Sequence, residues 1–174
     1  MKLPLAILFF VFQFTFSFSQ SHNSDTALLV VGNFSLKNNL IREIKVGLFL
    51  EGKKVDSLVV DGNQEFGFYL ARNLIYTIEM KKEGFIRRTV GISTELPDGV
   101  RYKPFFNFMF VMPLVREPED PEENKYVKYV YDMPAGFIFY SFETKKFEHG
   151  KEYSDAVKEK LRKAKEEAAK AKKG

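Results

Sequence analysis

The chain has 174 residues, a formal charge of +4, 16% aromatic residues, no cysteine and no tryptophan. That length holds one domain and an appendage, and the missing cysteine excludes disulfides, thiolate-bound zinc, a cysteine nucleophile and the lipidated cysteine of bacterial lipoproteins. Between Lys151 and Lys173 stand nine Lys or Arg against five Asp or Glu, so the basic character belongs to the tail and a nucleic-acid groove across the folded part is not expected.

In chain order, Met1 to Ser19 places one early lysine before the apolar run LPLAILFFVFQFTFSF, with Ser17 and Ser19 at −3 and −1 of a cut before Gln20. This is the layout of a secretory signal, too short and too diluted by Gln13, Thr15 and Ser17 for a bilayer core of about 30 Å. Export to the periplasm or cell envelope is expected, with residues 1–19 removed. Residues 20–26 read as a flexible arm containing His22.

The sandwich is expected over residues 27–150. Ala27–Ser35 reads as the first strand and Asn38-Asn39 as a polar turn. Glu43–Glu51 alternates Ile44, Val46, Leu48 and Leu50 against Glu43, Lys45, Gly47 and Phe49. Val55–Phe85 reads as an antiparallel three-strand meander. Its Asp61-Gly62-Asn63 turn leads to Phe66, Phe68 and Leu70 on one face, Tyr76, Ile78 and Met80 share a face on the next pass, and Gly84 supplies a positive-φ turn. Ile86–Leu96 returns with Arg87 and Thr89 opposite Ile86, Arg88 and Val90.

Phe105–Leu114 is the most apolar stretch of the mature chain. Its continuity predicts a strand covered on both sides, and Pro113 predicts an edge or strand end. Arg116–Asn124 crowds carboxylates and prolines without the spaced oxygen cage and turn glycine of a calcium loop, so it reads as an acidic connector. Tyr126–Tyr131 and Gly136–Phe142 read as two further strands. From Lys151 to Gly174 the period becomes helical, with Tyr153, Val157 and Leu161 on one face. Beyond Leu161 only alanines extend that face, so this end is expected to project and fray, and alanine opposite lysine gives little membrane contact.

The spacing of Val30, Val31 and Gly32, of Val46, Leu48 and Leu50, of Asp61-Gly62, Phe66, Gly67, Phe68 and Leu70, of Tyr76, Ile78 and Met80, and of Gly84-Phe85 gives Ala27–Ser93 a recognisable pattern. It resembles the carboxypeptidase regulatory-like domain, a transthyretin-like β-sandwich of exported proteins of Bacteroidetes-type bacteria. Two departures are the glycine beside the aromatic position in Phe66-Gly67-Phe68, and Phe85 where the family has tyrosine. The segments Met133–Tyr140, Phe147–Gly150 and Lys151–Tyr153 are similar to an uncharacterised segment that follows such domains. The resemblance implies architecture and export, and no active site.

The expected fold is therefore mainly β, an antiparallel Ig/transthyretin-like sandwich of about seven to nine strands with a C-terminal helix. Only two histidines, His22 and His149, and no glycine-rich phosphate loop are present, so no catalytic, cofactor-binding or metal residue is expected. The expected function is a non-enzymatic protein-interaction or scaffold module for an envelope partner, docking through Phe105, Phe106, Phe108 and Phe110. The alternative is a glycan- or peptide-binding module that stacks its ligand on Tyr126, Tyr129 and Tyr131.

Overall fold

A computed structural model describes residues 17–19, 25–35, 41–102 and 104–172. Alternation of apolar and polar residues builds the strands: β1 (Ser17–Ser19), β2 (Thr26–Ser35), β3 (Ile44–Leu50), β4 (Lys53–Val60), β5 (Phe66–Ala71), β6 (Ile75–Lys81), β7 (Arg88–Ser93), β8 (Phe106–Pro113), β9 (Gly136–Ser141) and β10 (Lys146–His149). Helix α1 (Pro121–Tyr131) lies between β8 and β9, and α2 (Lys151–Ala171) follows β10. The strands form two sheets, in the orders β1-β5-β2-β8 and β10-β9-β7-β6-β3-β4. This is the expected mainly β, two-sheet architecture with a C-terminal helix.

The core lies between the sheets because each strand turns one side-chain phase inward. Leu28, Val30, Phe66, Phe68 and Leu70 from one sheet meet Ile44, Val46, Leu48, Ile78, Met80 and Ile92 from the other, all at most 1% exposed. Gly32 is needed on this face: a Cβ there would sit 2.3 Å from Phe66 Cζ and 2.8 Å from Phe110 Cζ. The Gly84 turn has φ +73°, as its position predicted.

Four features differ from the sequence expectation. Val55–Phe85 is not a meander: β4 and β6 both pair with β3, while β5 crosses to the other sheet and pairs with β2. Both sides of the sandwich are apolar at this point, so alternation placed the faces correctly and left the partner strand open. The pairing is also not wholly antiparallel, since β1–β5, β2–β8 and β7–β9 run parallel. β8 is an edge strand, as Pro113 predicted, but it is not covered on both sides; Met109 and Val111 are 64% and 60% exposed on its outer phase.

The fourth difference is the largest. Tyr126–Tyr131 is not a strand but the second half of α1, and the helix takes up the end of the acidic connector. Val127, Val130 and Tyr131 are buried at i, i+3 and i+4, a helical stripe. That stripe receives α2, and with Ile86, Val157 and Ala164 it forms a second apolar cluster. The end of α2 is therefore docked and does not project: Ala164 and Ala168 are 1% and 2% exposed, and Lys172 pairs with Asp120 at the start of α1. Small side chains let the two antiparallel helices approach closely. Ala164→Leu should overpack this contact and cost about 1–3 kcal/mol, read from the midpoint of urea unfolding.

The basic tail is internally compensated on its solvent face. Lys158 pairs with Asp155, Arg162 with Glu159 and Glu166, and Lys163 with Glu159. Hydrogen bonding from Arg162 holds the Glu159 carboxyl down at about 2.

The short β1 falls within residues 1–19, and a cut before Gln20 would leave the outer edge of β5 without it. Residues 1–16, His22 and Asn38-Asn39 lie outside the described residues. No described helix is long and apolar enough to cross a membrane.

Candidate functional site

Buried polar side chains are where a β-sandwich departs from pure packing, and their hydrogen bonds can be followed one by one. Among the described residues Thr26, Arg88, Thr94 and Ser154 are buried. Thr94 is satisfied: its hydroxyl donates to Ala71 O at 2.6 Å and accepts from Leu74 N at 3.0 Å. Arg88 and Ser154 both line one cavity of about 440 Å³ between β8, β7, β9 and the helix pair.

The cavity lies where the helix pair meets the β8 edge of the sandwich. Phe108, Phe110 and Met112 of β8 form one wall, Val90 and Ile138 the floor, and Leu161 of α2 the opposite wall. The strand residues among these are inward-phase positions, and Met109, Val111 and Pro113 of the outer phase of β8 join the lining, so the cavity opens at that sheet edge.

Arg88 comes from β7 on the same phase as Val90 and Ile92, which carries it inward to 8% exposure. Its neighbour Arg87 points outward and pairs with Glu79 at 3.2 Å and Asp132 at 3.7 Å. Arg88 makes no ion pair among the described residues, and its Nε has no hydrogen-bond partner there. The guanidinium packs over the Tyr131 ring, 5.5 Å from its centroid. Burial lowers the Arg88 pKa, opposed by Tyr131 and Tyr153. Burial likewise raises the phenols of Tyr131 and Tyr153, and the charge of Arg88 pulls both back.

A second polar group lies on the same cavity. Ser154 Oγ donates to Gly150 O at 3.1 Å and lies 3.1 Å from His149 Nε2. A hydroxyl has one proton, so with that proton on Gly150 O it accepts from Nε2–H. The contact orients the imidazole on the cavity wall. Room for the ring comes from Gly136, where a Cβ would fall 2.2 Å from His149 Nε2. Gly136→Ala should swing the ring off Ser154 and cost about 0.5–1.5 kcal/mol, the worth of one such bond. Loss of the His149 Nε2–H coupling to Ser154 in NMR spectra checks it.

The structure distributes the expected interaction residues over several surroundings. Phe108, Phe110 and Tyr131 line the cavity. Phe106 turns into the core against Tyr140 at 5.6 Å and Phe147 at 5.4 Å, while Phe105 packs on Tyr69 at 5.5 Å. Tyr126 is half-buried and Tyr129 is 57% exposed on α1, so the three tyrosines do not form one stacking surface. Residue-type reasoning did not single out Arg88 or Ser154, and it set His149 aside as one of only two histidines. For Arg88 a signal was present, a cation in the apolar phase of an alternating strand; His149 and Ser154 meet only through the β10-to-α2 junction.

Among the described residues no group of three or more His, Cys, Asp or Glu converges as a metal set. No protein-family model matches the chain, and no curated protein matches it. Among solved structures, the chain is similar to catechol 1,2-dioxygenase of Acinetobacter radioresistens, with TM-score 0.40 and 12% identity over 60% of this chain and 58% of that one. It is also similar to 3-chlorocatechol 1,2-dioxygenase of Rhodococcus opacus 1CP, with TM-score 0.37 and 8% identity over 58% of this chain and 64% of the other. S.CueP gives TM-score 0.33 and 14% identity over 49% of this chain and 60% of its own. The chain thus spans less than two thirds of the length of each.

Proposed function

We propose that this chain is a non-enzymatic binding module that carries a small, largely apolar ligand in the cavity between β8 and α2. The observation that carries the proposal is the cavity itself, about 440 Å³ with apolar walls and two buried polar side chains on its lining. Ligand sites have this character: a concave, mostly apolar volume of roughly 300–1,000 Å³ with a few placed polar groups. The apolar N-terminal run supports an exported setting for it, and the pattern in Ala27–Ser93 supports a carboxypeptidase regulatory-like scaffold.

The test uses the neutral dye Nile red with the purified full chain. Saturable, one-to-one binding with enhanced emission is expected, and Leu161→Trp, which fills the cavity, should abolish it while circular dichroism stays unchanged. Equal dye binding by that variant would place the dye elsewhere and sink the proposal.

A second reading, docking of an envelope protein, is favoured by the exposed outer phase of β8, where Met109 and Val111 stand at the sheet edge. In-cell crosslinking from position 109 tests it: recurrent capture of one envelope protein supports docking, and its absence removes this reading.

A further inference from the structure

Resting on the cavity reading above, we infer that the ligand is an apolar monocarboxylic acid whose carboxylate is received by Arg88. An arginine at 8% exposure has left water, and Coulomb attraction to a counter-ion is the usual compensation. Among the described residues no carboxylate supplies it, although Arg87, one residue away, has two such partners on the solvent side. The compensation on this side falls to whatever occupies the cavity.

The geometry selects the kind of anion. The Nε of Arg88 is covered and has no partner among the described residues, so the two terminal nitrogens are what a ligand can reach, and their N–H groups match the two oxygens of a carboxylate. The Tyr131 ring, 5.5 Å from the guanidinium carbon, covers the cation and limits its reorientation. The cavity lining offers one other formal cation, Lys158, and that lysine is exposed and paired with Asp155 at 3.2 Å. One buried positive charge matches one negative charge. A phosphate monoester, close to −2 at neutral pH, would bring a second, uncompensated charge against the apolar walls.

The rest of the ligand is set by the walls. Val90, Phe108, Phe110, Met112, Ile138 and Leu161 present carbon to the cavity, and the His149–Ser154 pair is hydrogen-bonded within itself. Arg88 is therefore the group left to receive charge, and an aliphatic or aryl body fits the remainder.

Isothermal titration calorimetry of the full chain with decanoate, 1-decanol and decyl phosphate reads the inference directly. Decanoate should bind about 10- to 100-fold more tightly than decanol, the range that a charge-assisted bond supports. It should also bind more tightly than decyl phosphate. Arg88→Met should erase the preference of decanoate over decanol while Nile red still binds, and Arg88→Lys, which keeps the charge but loses the fork, should retain part of it.

Equal binding of decanoate and decanol by the unaltered chain, or an undiminished preference in Arg88→Met, would overturn the carboxylate inference while leaving the cavity reading standing. Tighter binding of decyl phosphate would overturn the monoanion assignment. Absence of binding by all three together with Nile red would remove the cavity reading as well.

Discussion

Replacing Phe66 by alanine is expected to cost about 3–5 kcal/mol, the range for deleting a buried phenyl group, which is a large share of the roughly 5–15 kcal/mol that stabilises a domain. The ring is 1% exposed and lies 5.3 Å from Phe34, 6.2 Å from Phe68 and 5.9 Å from Phe110. It also covers Gly32, whose missing side chain is what admits the ring to the sheet. Surrounding rings are rigid and cannot collapse fully into the space, so the cavity contribution adds to the lost transfer energy. The check is urea unfolding: the midpoint should fall with an unchanged slope. A change under 1 kcal/mol would mean that Phe66 is not the keystone of this layer.

Arg88→Met is expected to act in the opposite direction and stabilise the fold by about 1–4 kcal/mol, the range found when buried ion pairs are exchanged for apolar residues, carried over here to a single buried cation. Two contributions compete. The variant loses the contact with Tyr131, worth about 0.5–2 kcal/mol, and removes the desolvation of a buried ion, worth several kcal/mol. The second is larger, and methionine keeps most of the stem volume. In a chain of this size each kcal/mol raises Tm by about 2–4 °C, so calorimetry of the ligand-free protein should show a clear upward shift. A lowered Tm would mean that the guanidinium is compensated within the fold. A stabilising change that removes the preference for a carboxylate is the pattern expected of a group kept for function at the expense of stability.

The strands were legible where one phase is apolar and fully buried. In β3, β5 and β6 the inward residues Ile44, Val46, Leu48, Phe66, Phe68, Leu70, Tyr76, Ile78 and Met80 follow the two-residue period. Which strand lies beside which was not legible, because two apolar sheet faces offer the same pattern to a crossing chain. The helix α1 was hidden by a coincidence of types: Tyr126, Lys128 and Val130 alternate with Val127, Tyr129 and Tyr131, as a strand would. The stronger signal lay just upstream. Asp120-Pro121-Glu122-Glu123 has the acidic cap, the proline at the first helical position and the acidic third position of a helix start, and Asn124 N–H donates to Asp120 O at 3.1 Å. Missing α1 left the alanines of α2 without a partner, which is why that end was expected to fray. The cavity is built by the same pairing of helices and was hidden for the same reason.

The strand that walls the cavity joins its sheet through a parallel pairing in which Leu28 lies opposite Phe106, so most of the domain must be threaded between them before they meet. Contacts so distant along the chain carry a high loop-closure cost and slow the folding of the topology that needs them. A cavity completed after the rate-limiting barrier gives its occupant no hold on the refolding rate, only on the rate of unfolding. If the cavity closes only after that barrier, a ligand held there would govern the lifetime of the finished protein among proteases, and not the yield with which new chains reach it.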